Sequence, residues 1–158
     1  MTDIPAPIVR VRDAASLLGL EIGLRVMEVS ARTAEEAALA CECAVGAIVK
    51  SLVFRGVASG HPILLLVSGA NRVDEAKVAE AIGEAIERPD AAFVRAATGF
   101  AIGGIPPFAH ATALSSFFDR DLLGHDRVWA AAGTPHAVFA VSPQALQTAI
   151  AAPVIVMG

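Results

Sequence analysis

The chain has 158 residues, of which 55% are hydrophobic and 18% are charged, a composition that excludes an intrinsically disordered protein. A chain of this length can bury roughly two-thirds of the surface that its unfolded form exposes, which predicts a single domain over residues 1–158. Sixteen acidic and twelve basic residues give a net charge of -4, which argues against extensive wrapping of nucleic acid but not against a small phosphate site.

The sequence contains no segment typical of membrane insertion or export. No window approaches the roughly 20 uncharged apolar residues of a membrane-spanning helix, so we expect no membrane partner. The amino-terminal sequence MTDIPAPIVRVRD has no apolar core of signal-peptide length. We therefore expect a cytoplasmic protein.

The two cysteines, Cys41 and Cys43, fall in a stretch with helical character. Side chains two residues apart on a helix diverge by about 200° around the axis, so the two thiols cannot bond each other there. A pair of buried, small apolar side chains is therefore favoured over a redox or metal-binding role.

The first part of the chain predicts two helices with a strand between them. Apolar residues recur at helical spacing over residues 6–18, and a strand over residues 24–29 follows. Thr33 and Glu36 have the spacing of a capping box, which predicts a second helix that begins after Thr33. The buried face of the first helix is expected to consist of Ile8, Val11, Ala15 and Leu18.

The rest of the chain predicts a hairpin, two helices and a series of short strands. Apolar runs over residues 48–55 and 62–68 are separated by GVASGH, which is typical of a hairpin. A helix beginning near residue 74 and another capped by Asp90 follow. The remaining predicted elements are strands over 114–118, 128–132 and 137–141 and a helix opened by Ser142 and Pro143.

Helices and strands thus alternate, with short turns between neighbouring strands. This order predicts a mixed α/β domain of the α+β type, in which a largely antiparallel or partly closed sheet is surrounded by helices. The segment GFAIGG does not match the GxGxxG pattern, and no P-loop pattern occurs. A doubly wound dinucleotide-binding fold is therefore not expected.

Lys50 occupies an unusual position for a charged residue. Lys50 and Lys77 are the only lysines of the sequence, and strand alternation places Lys50 on the apolar face of the segment AVGAIVKSLVF. An ammonium group there is costly to desolvate unless it meets an anion, a carbonyl group or a pocket. One interpretation is a functional lysine; the other is an edge-strand lysine whose stem reaches water.

The segment GGIPPFAH, residues 103–110, combines two glycines with two prolines. The glycines free the backbone and the prolines restrict it, which predicts a tight and stiff loop. Such a loop can present backbone N–H and C=O groups to a ligand. On composition alone, a rigid connection between strands is the favoured interpretation.

The remaining polar candidates are less distinctive. The four histidines have no spacing typical of a zinc site, so neither a metal nor another cofactor is expected. No GxSxG pattern identifies a nucleophile, and Ser51 has no visible catalytic base. Turn formation explains Asn71 and Asp119 equally well, and a solvated side chain explains His136.

Six spaced motifs, taken together, resemble the YbaK/EbsC family of aminoacyl-tRNA deacylases, which are relatives of the editing domain of bacterial prolyl-tRNA synthetases. The resemblance covers about residues 26–149. The motifs are TAEEAA, VGAIVKSLVF, LLVSGANRVD, TGFAIGGIPPFAH, DRDLL and VWAAAGTPHAVF.

The resemblance implies a protein that hydrolyses the ester between a wrong amino acid and the 3′ end of tRNA. It implies catalytic roles for four residues, namely Lys50, Gly103, Gly104 and Ile105. It implies substrate-binding roles for nine more, namely Arg32, Thr33, Ser51, Asn71, Pro106, Pro107, His110, Asp119 and His136. Many relatives have glycine where this chain has Ala109, so the far side of the loop is expected to differ in shape.

The implied substrate is a tRNA charged with a small amino acid, either alanine-like or serine, threonine or cysteine. Met27, Ile105 and Phe108 are expected to narrow the pocket, although an apolar pocket rejects a hydroxyl group poorly. The partner is the 3′ acceptor end of an aminoacyl-tRNA, with an aminoacyl-tRNA synthetase as a second candidate. A non-catalytic binding module and a small-molecule esterase remain as alternatives.

Overall fold

The computed structural model describes residues 4–158. Met1–Asp3, on which the expectation of a cytoplasmic protein partly rests, lie outside the described residues. The helices are α1 (Ala6–Leu17), α2 (Ala34–Cys41), α3 (Glu75–Ile82), α4 (Ala91–Thr98) and α5 (Pro143–Ile150). The strands are β1 (Gly23–Val26), β2 (Ile48–Gly56), β3 (Pro62–Ser68), β4 (Ile86–Glu87), β5 (Ser115–Asp119), β6 (Val128–Ala131), β7 (Ala137–Val141) and β8 (Val154–Ile155).

The strands form one mixed sheet in the order β1-β7-β6-β2-β3-β5-β8, and β4 pairs with β2. Strand pairs β1–β7, β6–β7, β2–β3 and β2–β4 are antiparallel. Pairs β2–β6, β3–β5 and β5–β8 are parallel. The predicted mixed α/β fold is confirmed, with a larger share of parallel pairing than the short predicted turns suggested.

The central position of β3 in the sheet explains why the sequence of this strand is a continuous apolar run. Leu64 and Leu66 pack in one cluster with α1, α4 and α5, whereas Leu65 and Val67 pack on the other face against α3. A strand with covered faces and a neighbour on each side reads as an unbroken hydrophobic run. The sheet is thus covered by helices on both faces.

The strands β2 and β6 separate after a short parallel contact, and this separation creates the site described below. Their pairing is limited to Ile48 with Trp129 and Val49 with Ala130. Beyond Val49, the middle of β2 keeps its antiparallel pairing with β3 on the other edge. Lys50 and Ser51 therefore lie where the sheet opens.

Local sequence signals located most of the elements. The capping box of Thr33 and Glu36 is present, and Asp74, Asp90 and Ser142 each cap a helix. These interactions involve residues three apart in sequence, so they form in any tertiary setting.

Four predictions about the elements were wrong in detail. Leu18 is 40% exposed because α1 ends at Leu17. The first strand ends at Val26, three residues early. Cys43 lies beyond α2, because Glu42 ends that helix in the left-handed conformation. The two-residue strands β4 and β8 were not predicted, since so short a segment has no periodicity to detect.

Ala109 occupies a backbone conformation that favours glycine, with φ +69°. A left-handed residue with a Cβ atom costs roughly 1–2 kcal/mol, partly offset because glycine gains more freedom in the unfolded chain. We expect Ala109→Gly to raise the free energy of unfolding by about 0.5 kcal/mol. Chemical denaturation measures this change, with Ala113→Gly as the control. Ala113 is exposed and has no positive φ, so a gain there as well would contradict the explanation.

Candidate functional site

A cavity of about 240 Å³ opens where β2 and β6 separate. Its walls come from the start of α2, from β2, from the 103–110 loop and from β6 and β7. They are mostly apolar, and the polar side chains among them are those of Arg32, Thr33, Lys50, Ser51 and Trp129. This combination of apolar walls and few polar groups is typical of a ligand site.

Lys50 supplies a half-buried cationic group to the cavity wall. Its Nζ donates a hydrogen bond of 2.5 Å to the backbone carbonyl oxygen of Asn71. Burial lowers the pKa of Lys50 below its ordinary value, the charges of Glu35 and Asp119 raise it, and Arg72 lowers it further. Lys50, a charged residue on an apolar strand face, thus has a carbonyl group as its hydrogen-bond partner and a cavity beside it.

The segment before α2 forms the opposite lip of the cavity. Arg32 and Thr33 both line it and both are exposed. The Thr33 hydroxyl accepts a hydrogen bond from the Glu36 N–H at 3.1 Å, so it is already engaged in capping the helix. Arg32 is the one of the two whose charged group is available to an anion at the cavity mouth.

The 103–110 loop contributes backbone rather than charge. Gly103 has φ +95°, a conformation that favours glycine. Within residues 4–158, the N–H groups of Gly103 and Ile105 donate to no other residue, and both residues line the cavity. Two backbone donors therefore lie at the wall with hydrogen-bonding capacity to spare.

Gly104 does not line the cavity, and its predicted catalytic role stays a prediction. Its N–H donates to the Ala101 carbonyl oxygen at 3.0 Å, and its φ is not positive. A Cβ atom at this position would lie 2.8 Å from Thr134 Cα and 2.9 Å from Gly133 C and O. Gly104 therefore permits close packing of the loop against the turn before β7.

Ser51 lines the cavity from the strand face opposite to Lys50. Its Oγ is buried and has no hydrogen-bond partner within residues 4–158. A buried hydroxyl group without a partner costs stability unless another molecule satisfies it. The Ser51 hydroxyl is therefore a buried polar group that no other described residue satisfies.

Asn71 and Asp119 lie outside the cavity lining. The Asn71 Nδ2 donates to Asp119 Oδ2 at 2.9 Å and to Asp121 Oδ2 at 2.8 Å. Asp119 is buried, so a direct contact with substrate, as expected from the sequence, has no support in this arrangement. Asp119 bonds Asn71, and Asn71 bonds Lys50, so both residues are connected to the cavity by way of Lys50.

Four other predicted site residues also lie outside the cavity lining. Pro106 and Pro107 belong to the loop, but their side chains are buried away from the cavity lining. The Nε2–H of His110 donates to the Pro106 carbonyl oxygen at 2.7 Å, and burial lowers the pKa of His110 while this hydrogen bond raises it. His136 is exposed, and its carbonyl oxygen accepts from Met27 N–H at 2.6 Å. Of the 13 predicted residues, the cavity brings together Arg32, Thr33, Lys50, Ser51, Gly103 and Ile105.

The expected narrowing of the pocket comes partly from other residues. Ile105 lines the cavity. Phe108 instead packs on Phe139, with ring centroids 5.5 Å apart. Met27 packs against the apolar cluster that contains the buried residues of α2. The residues missed by sequence reasoning are apolar. They are Ala31, Ala34, Ala37, Ile48, Val49, Leu52, Ile102, Ala130, Ala131, Ala137 and Val138. No signal in the sequence separates these from ordinary core residues.

The cysteines do not form part of the site. Burial raises the pKa of both the Cys41 and the Cys43 thiols, which keeps them in the less reactive protonated form. Both are free.

In the part of the chain described, no three His, Cys, Asp or Glu side chains are grouped so that they could hold a metal ion. Across residues 4–158, no helix combines the length and the apolar character needed to cross a membrane.

Residues 28–149 of the chain match a known family model, the aminoacyl-tRNA editing domain. The chain belongs to this family. The resemblance predicted from the sequence motifs is therefore confirmed, and family membership supports aminoacyl-tRNA deacylation as the function of the editing domain described here.

Solved structures agree with the family assignment. A candidate trans-editing enzyme for prolyl-tRNA synthetase is 42% identical, with 98% of each chain covered and a TM-score of 0.91. A scaffold protein used for epitope backbone grafting is 41% identical over 98% of each chain, with a TM-score of 0.90. The hypothetical protein APE2540 is 28% identical over 94% of this chain and 98% of its own, with a TM-score of 0.87. No curated protein sequence matches the chain significantly.

Proposed function

We propose that this chain acts as a single editing domain that hydrolyses the ester of a small, wrongly attached amino acid at the 3′ end of tRNA. The observation that supports this is that Lys50, Gly103 and Ile105 line one small cavity, and that the N–H groups of Gly103 and Ile105 donate to no other residue within residues 4–158. Ester hydrolysis needs groups that stabilise negative charge on the carbonyl oxygen, and an ammonium group and backbone N–H groups both do so.

In the proposed reaction, water attacks the carbonyl carbon of the ester. The negative charge that develops on the carbonyl oxygen is stabilised by the loop N–H groups, with Lys50 holding an oxygen of the aminoacyl-adenosine. The bond to the ribose oxygen then breaks, and the proton released by water ends on that oxygen. The products are the free amino acid and tRNA with an intact 3′ end. The resemblance implies that the substrate's own amine or hydroxyl group positions the water.

The cavity favours a small aminoacyl group. Its volume of about 240 Å³ lies below the roughly 300–1,000 Å³ of pockets that enclose drug-sized ligands. The unpartnered Ser51 hydroxyl adds one polar group to the apolar wall. We therefore propose alanine-like, serine, threonine or cysteine side chains as substrates.

The relative at 42% identity is described as a candidate trans-editing enzyme for prolyl-tRNA synthetase, which supports a proposal for the source of the substrate. We propose that the same class of synthetase produces the mischarged tRNA, and that the domain works in trans beside it. The cytoplasm is the proposed location, because tRNA charging for translation takes place there.

One deacylation panel tests the function. The purified protein is mixed with tRNAs charged with alanine, serine, threonine, cysteine and proline, and with a simple ester as a separate substrate. We expect hydrolysis of one or more of the small aminoacyl-tRNAs and much slower hydrolysis of the simple ester. Turnover of the simple ester alone identifies an esterase, and tight binding without turnover identifies a binding module.

The binding of tRNA is expected to weaken with salt through a few arginine contacts. Arg32 lines the cavity and the charge of Arg72 acts on Lys50, which supports a location of both near the acceptor end of a bound tRNA. We expect Arg32→Ala and Arg72→Ala each to reduce the slope of log Kd against log salt by about 0.7–1. Arg12→Ala is the control, because Arg12 pairs with Asp13 on α1. An unchanged slope in both the Arg32 and the Arg72 variants would contradict a role of these arginines in tRNA binding.

A further inference from the structure

The carboxylate of Asp119 is the most deeply buried charged group of the described residues, at 1% exposure. It accepts three hydrogen bonds, from Ser68 N–H at 3.0 Å, from Asn71 Nδ2 at 2.9 Å and from Asp121 N–H at 3.0 Å. Three donors satisfy a buried carboxylate and hold it in one orientation. Asp119 thus joins the end of β3, the turn that follows it and the end of β5.

Asn71 connects this carboxylate to Lys50. Its side-chain Nδ2 is shared between Asp119 and Asp121, and its own N–H donates to the Ser68 carbonyl oxygen at 2.9 Å. These bonds fix the turn from both its backbone and its side chain. The Asn71 carbonyl oxygen that accepts from Lys50 Nζ is consequently held in place.

We propose that Asn71 and Asp119 are positioning residues for Lys50: Asp119 holds Asn71, and the Asn71 carbonyl oxygen fixes the Lys50 ammonium at the cavity wall. The catalytic consequence rests on the proposed function, because it concerns the lysine that would bind the aminoacyl-adenosine. The positioning itself concerns only residues of this chain. Both residues act through Lys50 and do not touch the substrate.

The charges around Lys50 agree with this arrangement. Burial and Arg72 act against the ammonium form, whereas Glu35 on α2 and Asp119 at the end of β5 act in its favour. Glu35 is exposed, so solvent and salt screen its charge. The buried Asp119 is screened far less and supports the ammonium more persistently.

Titration of the lysines tests the proposal without any substrate. The sequence has two lysines, Lys50 and Lys77, so protein labelled with carbon-13 at lysine Cε gives two resolvable signals, assigned with Lys77→Arg. We expect Asp119→Asn to move the Lys50 midpoint to lower pH. Asp121→Asn is the matched control, since it removes an exposed charge from the same Asn71 amide and is expected to leave the midpoint unchanged. An unchanged midpoint in folded Asp119→Asn overturns the proposal.

A second variant keeps the test valid if Asp119→Asn does not fold. Asn71→Ala retains the carbonyl group that accepts from Lys50 but removes both side-chain bonds that hold it. We expect kcat to fall about tenfold or more, the range seen when a catalytic group is displaced by about 1 Å, with little change in KM. A parental kcat contradicts the proposal. Absence of turnover in every protein, with the midpoint shift present, rejects the proposed function and leaves the positioning intact.

Discussion

Replacing Lys50 with alanine is expected to lower deacylation by about a hundredfold, the usual loss when one charge-stabilising group is removed from a preorganised site. The fold should persist, because Lys50 is only half-buried and its side-chain hydrogen bond goes to a single backbone group, the Asn71 carbonyl oxygen. Rates of ester hydrolysis on the most active substrate of the panel, measured with circular dichroism on the same samples, check this result.

Lys77→Ala is the matched control for this variant. Lys77 is exposed, lies on α3 and donates to the Gly158 carbonyl oxygen at 2.9 Å. It removes the same charge from the protein without touching the cavity, so we expect parental rates. If Lys50→Ala deacylates every tested aminoacyl-tRNA at the parental rate, Lys50 has no part in the reaction.

Replacing Gly104 with alanine is expected to impair both stability and activity. The new Cβ atom would lie under 3.0 Å from backbone atoms of Gly133 and Thr134, and backbone cannot move aside as a flexible side chain can. Overpacking of this kind costs typically 1–3 kcal/mol, equivalent to roughly 2–4 °C in Tm for each kcal/mol in a domain of this size. The adjacent N–H groups of Gly103 and Ile105 should shift with the loop, and the deacylation rate should fall at least about tenfold.

Gly124→Ala is the control for the loop variant, since a Cβ atom there would meet nothing within 4 Å and Gly124 has no positive φ. Thermal unfolding and deacylation rates are measured for both proteins at a temperature where both are folded. A Gly104→Ala protein with parental stability and rate would show that loop packing does not control the site. Valine at position 104 should be more damaging than alanine, because its branched side chain adds further contacts with the same backbone.

The two glycines of the loop are required for different reasons. Gly103 has a positive φ, whereas Gly104 is required for close approach of two backbone segments. In sequence the two neighbours look alike, because either reason suffices for a glycine. Only the path of the chain from residue 132 to 135, which is distant in sequence, distinguishes them.

The elements that the sequence predicted well are those with local causes. Capping by Thr33, Asp74, Asp90 and Ser142 involves residues three positions apart, and the hairpin of β2 and β3 is joined by a short loop. The isolated lysine on an apolar strand face was visible for a similar reason, since strand alternation is a local rule. The family motifs added the function, because their order along the chain is itself a property of the sequence.

The sequence alone was sufficient for the helices, the central hairpin, the family and the choice of Lys50 as a candidate site residue, since each depends on neighbours in the chain or on motif order. The tertiary structure decided which polar residues reach the cavity. Asn71 and Asp119 lie beside Lys50 through hydrogen bonds between residues 21 and 48 positions apart, and the cavity exists because β6 leaves β2 after Val49. Contacts at that separation depend on how the sheet is assembled, and no local pattern records them.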